Sequence, residues 1–159
     1  MIKVFLLLGS NLGNRAETLN KATELIANGV GMVTAKSSLY ETQSWGKTDE
    51  PDYINQVIVL QTNLPARSVL NKVLAIELAM GRTREVKWGA RIIDIDILFY
   101  GDDVIDEPGL VVPHPQLHNR RFTLEPLGEL APDLQHPVLK KTILQLKSEL
   151  KDDLIVKKL

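Results

Sequence analysis

Ile2 to Leu8 is an unbroken β-favouring run that stops at "GSNLGNR", a cluster of turn formers. Beyond it the apolar period changes from two to 3.6. Leu19, Ala22, Ile26 and Ala27 make the stripe of a first helix, Asn14 with Glu17 three residues on makes an Asn version of a capping box, and Asn28-Gly29 closes it. Met32 to Thr42 reads as a second strand and "QSWGKTDEPD" as a loop. Tyr53 to Thr62 reads as a third strand, with Ile54, Val57, Val59 and Leu60 as its apolar members. Pro65 opens a second helix whose shared face is Leu70, Val73, Leu74 and Leu78, and Gly81 ends it. After the charged loop "RTREVKWG" comes a fourth strand, Arg91 to Tyr100. A weak hairpin follows around Val104 and Val111, then an apolar "LEPLGELAP", a last helix from about Thr142, and a Lys-rich tail, "KDDLIVKKL", that reads as a solvated end.

The order β-α-β-β-α-β predicts an α+β fold, a ferredoxin-like βαββαβ sandwich with an additional C-terminal helix. With no repeat, low-complexity stretch or linker, residues 1–159 are expected to form a single domain.

Composition narrows the chemistry. Apolar residues at 44% and charged residues at 25% are those of a soluble globular protein, and a net charge of -1 gives no global pull toward nucleic acid or an anionic membrane. The absence of cysteine excludes disulfides, thiolate metal sites and a cysteine nucleophile. The N-terminal apolar run is too short to span a bilayer and has no cleavage site of signal-peptide type. The expectation is a cytoplasmic monomer with small-molecule partners and neither nucleic acid nor membrane among them.

Within the fourth strand, "RIIDIDILFY", two aspartates interrupt an apolar run. Side chains alternate along a strand, so Asp94 and Asp96 share one face while Ile93, Ile95 and Ile97 take the other. Their Cβ atoms should lie about 6–7 Å apart. Two carboxylates that close resist joint ionisation unless a cation joins them, and a hard dication such as Mg2+ suits oxygen ligands. Alternatively they form a solvated face neutralised by arginine. Arg82, Arg84, Lys87 and Arg91 precede the pair and Arg120 and Arg121 follow, more cations than two aspartates need and the right forks for phosphate.

Other residues carry two readings each. Glu77 sits on an apolar stripe near a helix C-terminus, either paired with Arg82 or Arg84 or bonded to a ligand. His114, between prolines in "VPHP", is either structural or a phosphate donor; His118 and His136 have no metal-ligand spacing. Tyr53 and Phe122 either pack the core or sandwich a flat heterocycle, with Asn55 on the strand face of Tyr53 offering an amide to its edge. Trp45 and Trp88 fall in polar loops that could close over a ligand. Gly9 to Arg15 lacks the pattern of a phosphate-binding loop and reads as a strand-to-helix turn.

"KWGARIIDIDILFYG" resembles the signature segment of the 6-hydroxymethyl-7,8-dihydropterin pyrophosphokinases of folate biosynthesis. The likeness extends through "GSNLGNR", "YET" then "WG", "PDYIN", "IELAMGRTR", "VPHP" and "NRRFTLEPL". It implies a ferredoxin-like core, transfer of pyrophosphate from ATP to the pterin hydroxymethyl with release of AMP, and two Mg2+ held by Asp94 and Asp96. By the same resemblance Tyr53 and Phe122 stack on the pterin and Thr42, Trp45 and Asn55 line its pocket. Glu77, Arg82, Arg84, Trp88, Arg91, His114 and Arg120 lie along ATP, with Arg82, Arg91 and Asp96 as the catalytic residues. The loops around Gln43–Asp52 and Arg82–Gly89 would close over both substrates. The chain departs from some members at "QSW" after Thr42, at Gly109 in place of an arginine, and at Arg121 as an extra charge.

Overall fold

The computed structural model describes residues 1–11, 13–42, 52–81, 93–152 and 154–159. Its centre is an antiparallel sheet built from β1 (Ile2–Ser10), β2 (Met32–Lys36), β3 (Tyr40–Thr42), β4 (Tyr53–Thr62), β5 (Asp94–Tyr100) and β8 (Val156–Lys158), in the order β5-β1-β4-β3-β8 with β2 also on β4. β5 beside β1, and β4 beside both β2 and β3, is the ferredoxin-like arrangement expected from the element order. Helices α1 (Arg15–Gly29) and α2 (Ala66–Ala79) cover one face over Val4, Leu6, Leu8, Ile58, Leu60, Ile95 and Ile97. Helices α3 (Arg121–Leu130) and α4 (Ile143–Ser148) cover the other over Phe5, Leu7, Val57, Val59, Leu98 and Phe99. The hairpin of β6 (Ile105–Glu107) and β7 (Leu110–Val112) forms around Val104–Val111 as expected.

The second cover is short. A ten-residue helix spans about 15 Å and a ten-residue strand about 33 Å, so α3 and α4 shield only part of the face. The Leu7–Val57 row ends in Asp96, and beyond it that face carries Gly9, Tyr53, Asn55 and Asp94; there a cavity forms.

Several sequence expectations need correction. The single strand Met32–Thr42 is two, because the Ser37 hydroxyl intercepts the ladder: Val57 N–H donates to Ser37 Oγ at 3.0 Å, and that hydroxyl donates to Ser38 O at 2.8 Å. In α1, Thr23 rather than Ala27 completes the buried stripe. Helix α2 buries Ala66, Val69, Val73 and Glu77 and leaves Leu74 and Leu78 exposed, since small and β-branched residues fit closest to the sheet. The stretch "LEPLGELAP" lies in α3 up to Leu130, with Pro126 inside the helix; buried Leu124 and Leu127 outweigh the hydrogen bond proline forfeits. The tail is not wholly solvated: β8 pairs with β3 in register Tyr40↔Lys158.

His136 is 5% exposed behind Phe99, its Nδ1 accepting from the N–H groups of Val138 and Leu139 at 3.2 and 3.1 Å. Burial, and then the neighbouring His118, hold its pKa below the usual 6.5. The unfolded chain therefore binds more protons just below pH 6.5, and the stability from neutral His136 is complete above that value and lost as pH falls toward the folded pKa. His114, also depressed, adds in the same direction. Thermal melts from pH 8 to 5 should show falling stability, with a shallower slope in His136→Gln; an unchanged slope would refute the assignment.

Candidate active site

A cavity of about 240 Å3 opens on the uncovered end of the sheet, lined by Leu7, Gly9, Thr42, Tyr53, Asn55, Asp94, Asp96, Arg120, Phe122 and Leu154. The register explains the grouping. Gly9 pairs with Asn55 on one side and Asp94 on the other, and Leu7 pairs likewise with Val57 and Asp96. Three adjacent strands thus set an amide and two carboxylates on one surface. Ile93, Ile95 and Ile97 are buried at 0%, 5% and 7% exposure while Asp94 and Asp96 are half-buried, so the two acids share a face as alternation demands.

The opposite wall comes from α3. Phe122 lies in its first turn, and the Arg120 guanidinium sits 5.5 Å from the ring centre over one of its faces. A flat heterocycle can take the other. The wall is tied to β3 by Glu129, which accepts from Tyr40 Oη at 2.6 Å and from Ser38 N and Oγ at 2.9 and 3.2 Å. Burial pushes the Glu129 carboxyl up, but the bonds from Tyr40 and Ser38 and the charge of Lys158 outweigh it and hold it below its usual range. Next along β3, buried Thr42 presents an Oγ1 that has no hydrogen-bond partner among the described residues. A buried hydroxyl without a partner is costly, and one beside a cavity suits a ligand.

His114 stands near the acid pair. Its Nδ1 accepts from Gln116 N at 3.1 Å, which leaves the proton of the neutral ring on Nε2 as a donor. Burial lowers its pKa, Asp96 opposes and Arg120 adds to the depression. Arg120 and Arg121 part company: Arg120 lines the cavity, whereas Arg121 N–H donates to Asp152 Oδ2 at 3.0 Å and its side chain reaches Asp152 O and Glu125, tying α3 to the tail. The cation count read from the sequence around the acid pair therefore loses Arg121.

Glu77 is 3% exposed, and its Oε2 accepts from Ile95 N at 2.7 Å. Strand β5 is a sheet edge, so this N–H between the two aspartates faces α2 instead of another strand. Glu77 thereby holds the acidic segment from behind, a partner that neither sequence reading of Glu77 named. Glu77→Ala should destabilise by about 2 kcal/mol by stranding that N–H, with Glu77→Gln recovering part through its amide oxygen; equal melting of both variants would refute this.

Thr42, Tyr53, Asn55, Asp94, Asp96, Arg120 and Phe122 thus converge on one cavity, with His114 beside it. Trp45, Arg82, Arg84, Lys87, Trp88 and Arg91, and both predicted closing loops except Asp52, lie outside the described residues. Leu7 and Leu154 were not anticipated, and Gly9, read from the sequence as the start of a strand-to-helix turn, lies inside β1, which continues to Ser10 because Gly9 is paired on both sides.

Fold and site define a ferredoxin-like α+β protein that sets an aromatic-walled slot against an acidic ledge. A family model, 7,8-dihydro-6-hydroxymethylpterin-pyrophosphokinase, matches residues 5–132, and the chain belongs to that family. The 2-amino-4-hydroxy-6-hydroxymethyldihydropteridine pyrophosphokinase of Methylorubrum extorquens is 42% identical over 135 residues, 84% of this chain and 85% of that protein. The protein of the same name from Aquifex aeolicus is 38% identical over 149 residues, 94% of this chain and 92% of its own. Among solved structures, wild-type Plasmodium falciparum HPPK-DHPS superposes with a TM-score of 0.75 at 19% identity over 93% of this chain, a likeness of fold. The present chain spans 44% of that longer one.

Proposed function

We propose that this chain transfers pyrophosphate from ATP to 6-hydroxymethyl-7,8-dihydropterin, giving the pterin diphosphate and AMP in folate biosynthesis. Family membership and relatives of about 40% identity bearing the pyrophosphokinase name support that activity. The observation that carries the reading is the joining, in one cavity, of the Asp94–Asp96 pair with Tyr53, Asn55 and Phe122.

In this reading the pterin lies between Tyr53 and Phe122, its polar edge on Asn55 and on the Thr42 hydroxyl, which has no partner among the described residues. Arg120 and the Nε2–H of His114 meet the polyphosphate. Trp45 is assigned to the pterin, Arg82, Arg84, Trp88 and Arg91 to ATP, and Arg82 and Arg91 to catalysis by family resemblance alone, since all five lie outside the described residues. Glu77 serves the nucleotide side by holding the strand of the acid pair. The substrate hydroxyl attacks the β-phosphorus, the bond to the α-phosphate oxygen breaks, and AMP departs with that oxygen. Asp96 takes the hydroxyl proton.

The donor set fits magnesium. Asp94 and Asp96 offer hard oxygens from one strand face, and no group of three or more His, Cys, Asp or Glu assembles among the described residues, so phosphates and water would complete the coordination. Two Mg2+ held by Asp94 and Asp96 would neutralise the polyphosphate and polarise the reacting oxygens. The chain's own part is positioning and charge complementarity, which phosphoryl transfer chiefly requires. We extend the reading to a single-domain monomer in the cytoplasm; no helix among the described residues is long and apolar enough to cross a membrane.

The test is to incubate the protein with ATP, Mg2+ and 6-hydroxymethyl-7,8-dihydropterin. AMP and a diphosphorylated pterin are expected in equal amounts; ADP, or no pterin product, would overturn the reading.

A further inference from the structure

We infer that Gly9 is a positioning residue for the pterin, its missing side chain being the space in which the Asn55 amide is seated. The inference rests on the function proposed above. Gly9 lies in the middle strand of the site, paired with Asn55 on β4 and with Asp94 on β5. It is the one member of that row without a side chain, and it forms the floor between amide and carboxylate.

A Cβ placed there would meet Asn55 Oδ1 at 2.6 Å and Tyr53 Cδ1 at 3.8 Å. The first distance is shorter than any real contact of that kind, so the amide would have to turn away; the second is ordinary packing. Backbone conformation does not require the glycine, since Gly13, Gly81, Gly101 and Gly109 have positive φ and Gly9 does not. A glycine inside a strand also weakens it relative to alanine. Local stability therefore favours a side chain at this position, and among the described residues the only close conflict is with the amide that lines the cavity. Asn55 is 5% exposed, which leaves its displaced amide little room to return to the same place.

The consequence is specific. Alanine at position 9 should fold, keep the acidic pair and nucleotide binding, and lose the pterin. Calorimetry with Mg2+ and a non-hydrolysable ATP analogue, then with 6-hydroxymethyl-7,8-dihydropterin, separates the two ligands. In Gly9→Ala the pterin Kd should rise about thirtyfold, as for loss of about two good polar contacts, while the nucleotide Kd stays within about threefold and the melting temperature does not fall. A double-mutant cycle identifies the route: in an Asn55→Ala background the same Gly9→Ala change should cost less than about threefold. Unchanged pterin affinity in Gly9→Ala, an equal loss in the Asn55→Ala background, or a variant that fails to fold would each overturn the role of Gly9 alone. A wild-type chain that fails to bind the pterin would overturn the functional reading and this inference with it.

Discussion

Asp96→Ala is expected to lower kcat by about a thousandfold, roughly 4 kcal/mol of lost transition-state stabilisation, with little change in melting temperature. The two halves of that expectation have separate causes. Asp96 presents its carboxylate to the cavity, where the reading gives it metal and substrate to hold. Its strand is anchored from the other side by Ile95 and Ile97 and by backbone pairing with β1, none of which needs the carboxylate. Asp96→Asn keeps the shape and removes the charge, and should be nearly as impaired. Steady-state rates of AMP formation beside thermal melts decide it: turnover near wild type in either variant would remove Asp96 from the chemistry.

Phe122→Ala should raise the KM for the pterin by about thirtyfold, or about 2 kcal/mol, the scale of one ring stacking on one heterocycle. The KM for ATP should change by less than about fivefold, because the Arg120–Phe122 contact at a half-buried ring is worth about 1 kcal/mol or less. Helix α3 should survive, since Leu124 and Leu127, both fully buried, carry its packing. Phe122→Tyr should restore most of the affinity. If ATP were weakened as much as the pterin, the ring would belong to the nucleotide instead.

The parts of the fold that were legible are those whose signal is local. The strands β1, β4 and β5 and the helices α1 and α2 show period and punctuation in the sequence. Helix α3 did not, because Pro126 argues against a helix and only contact with the sheet overrules it. Strand β8 did not, because three residues with one half-buried side chain have no period; their pairing with β3 is a long-range backbone event. The exposed Leu74 and Leu78 show the same limit from another side, since a helix rich in leucine has more than one apolar face to offer.

For the candidate site the division is similar. The alternation of Asp94 and Asp96 against three isoleucines needs nothing but strand geometry, and the pairing of Asn55 with Tyr53 on one strand face follows the same rule. By itself, then, the sequence determined the element order, the shared face of the acidic pair and the residue types available for binding. Which of them meet was decided only by the tertiary structure: the register that puts Gly9 between Asn55 and Asp94, the short helices that leave that end of the sheet uncovered, and the division of Arg120 from Arg121. Register and cover depend on contacts between segments tens of residues apart, whose cost and reward no local pattern records.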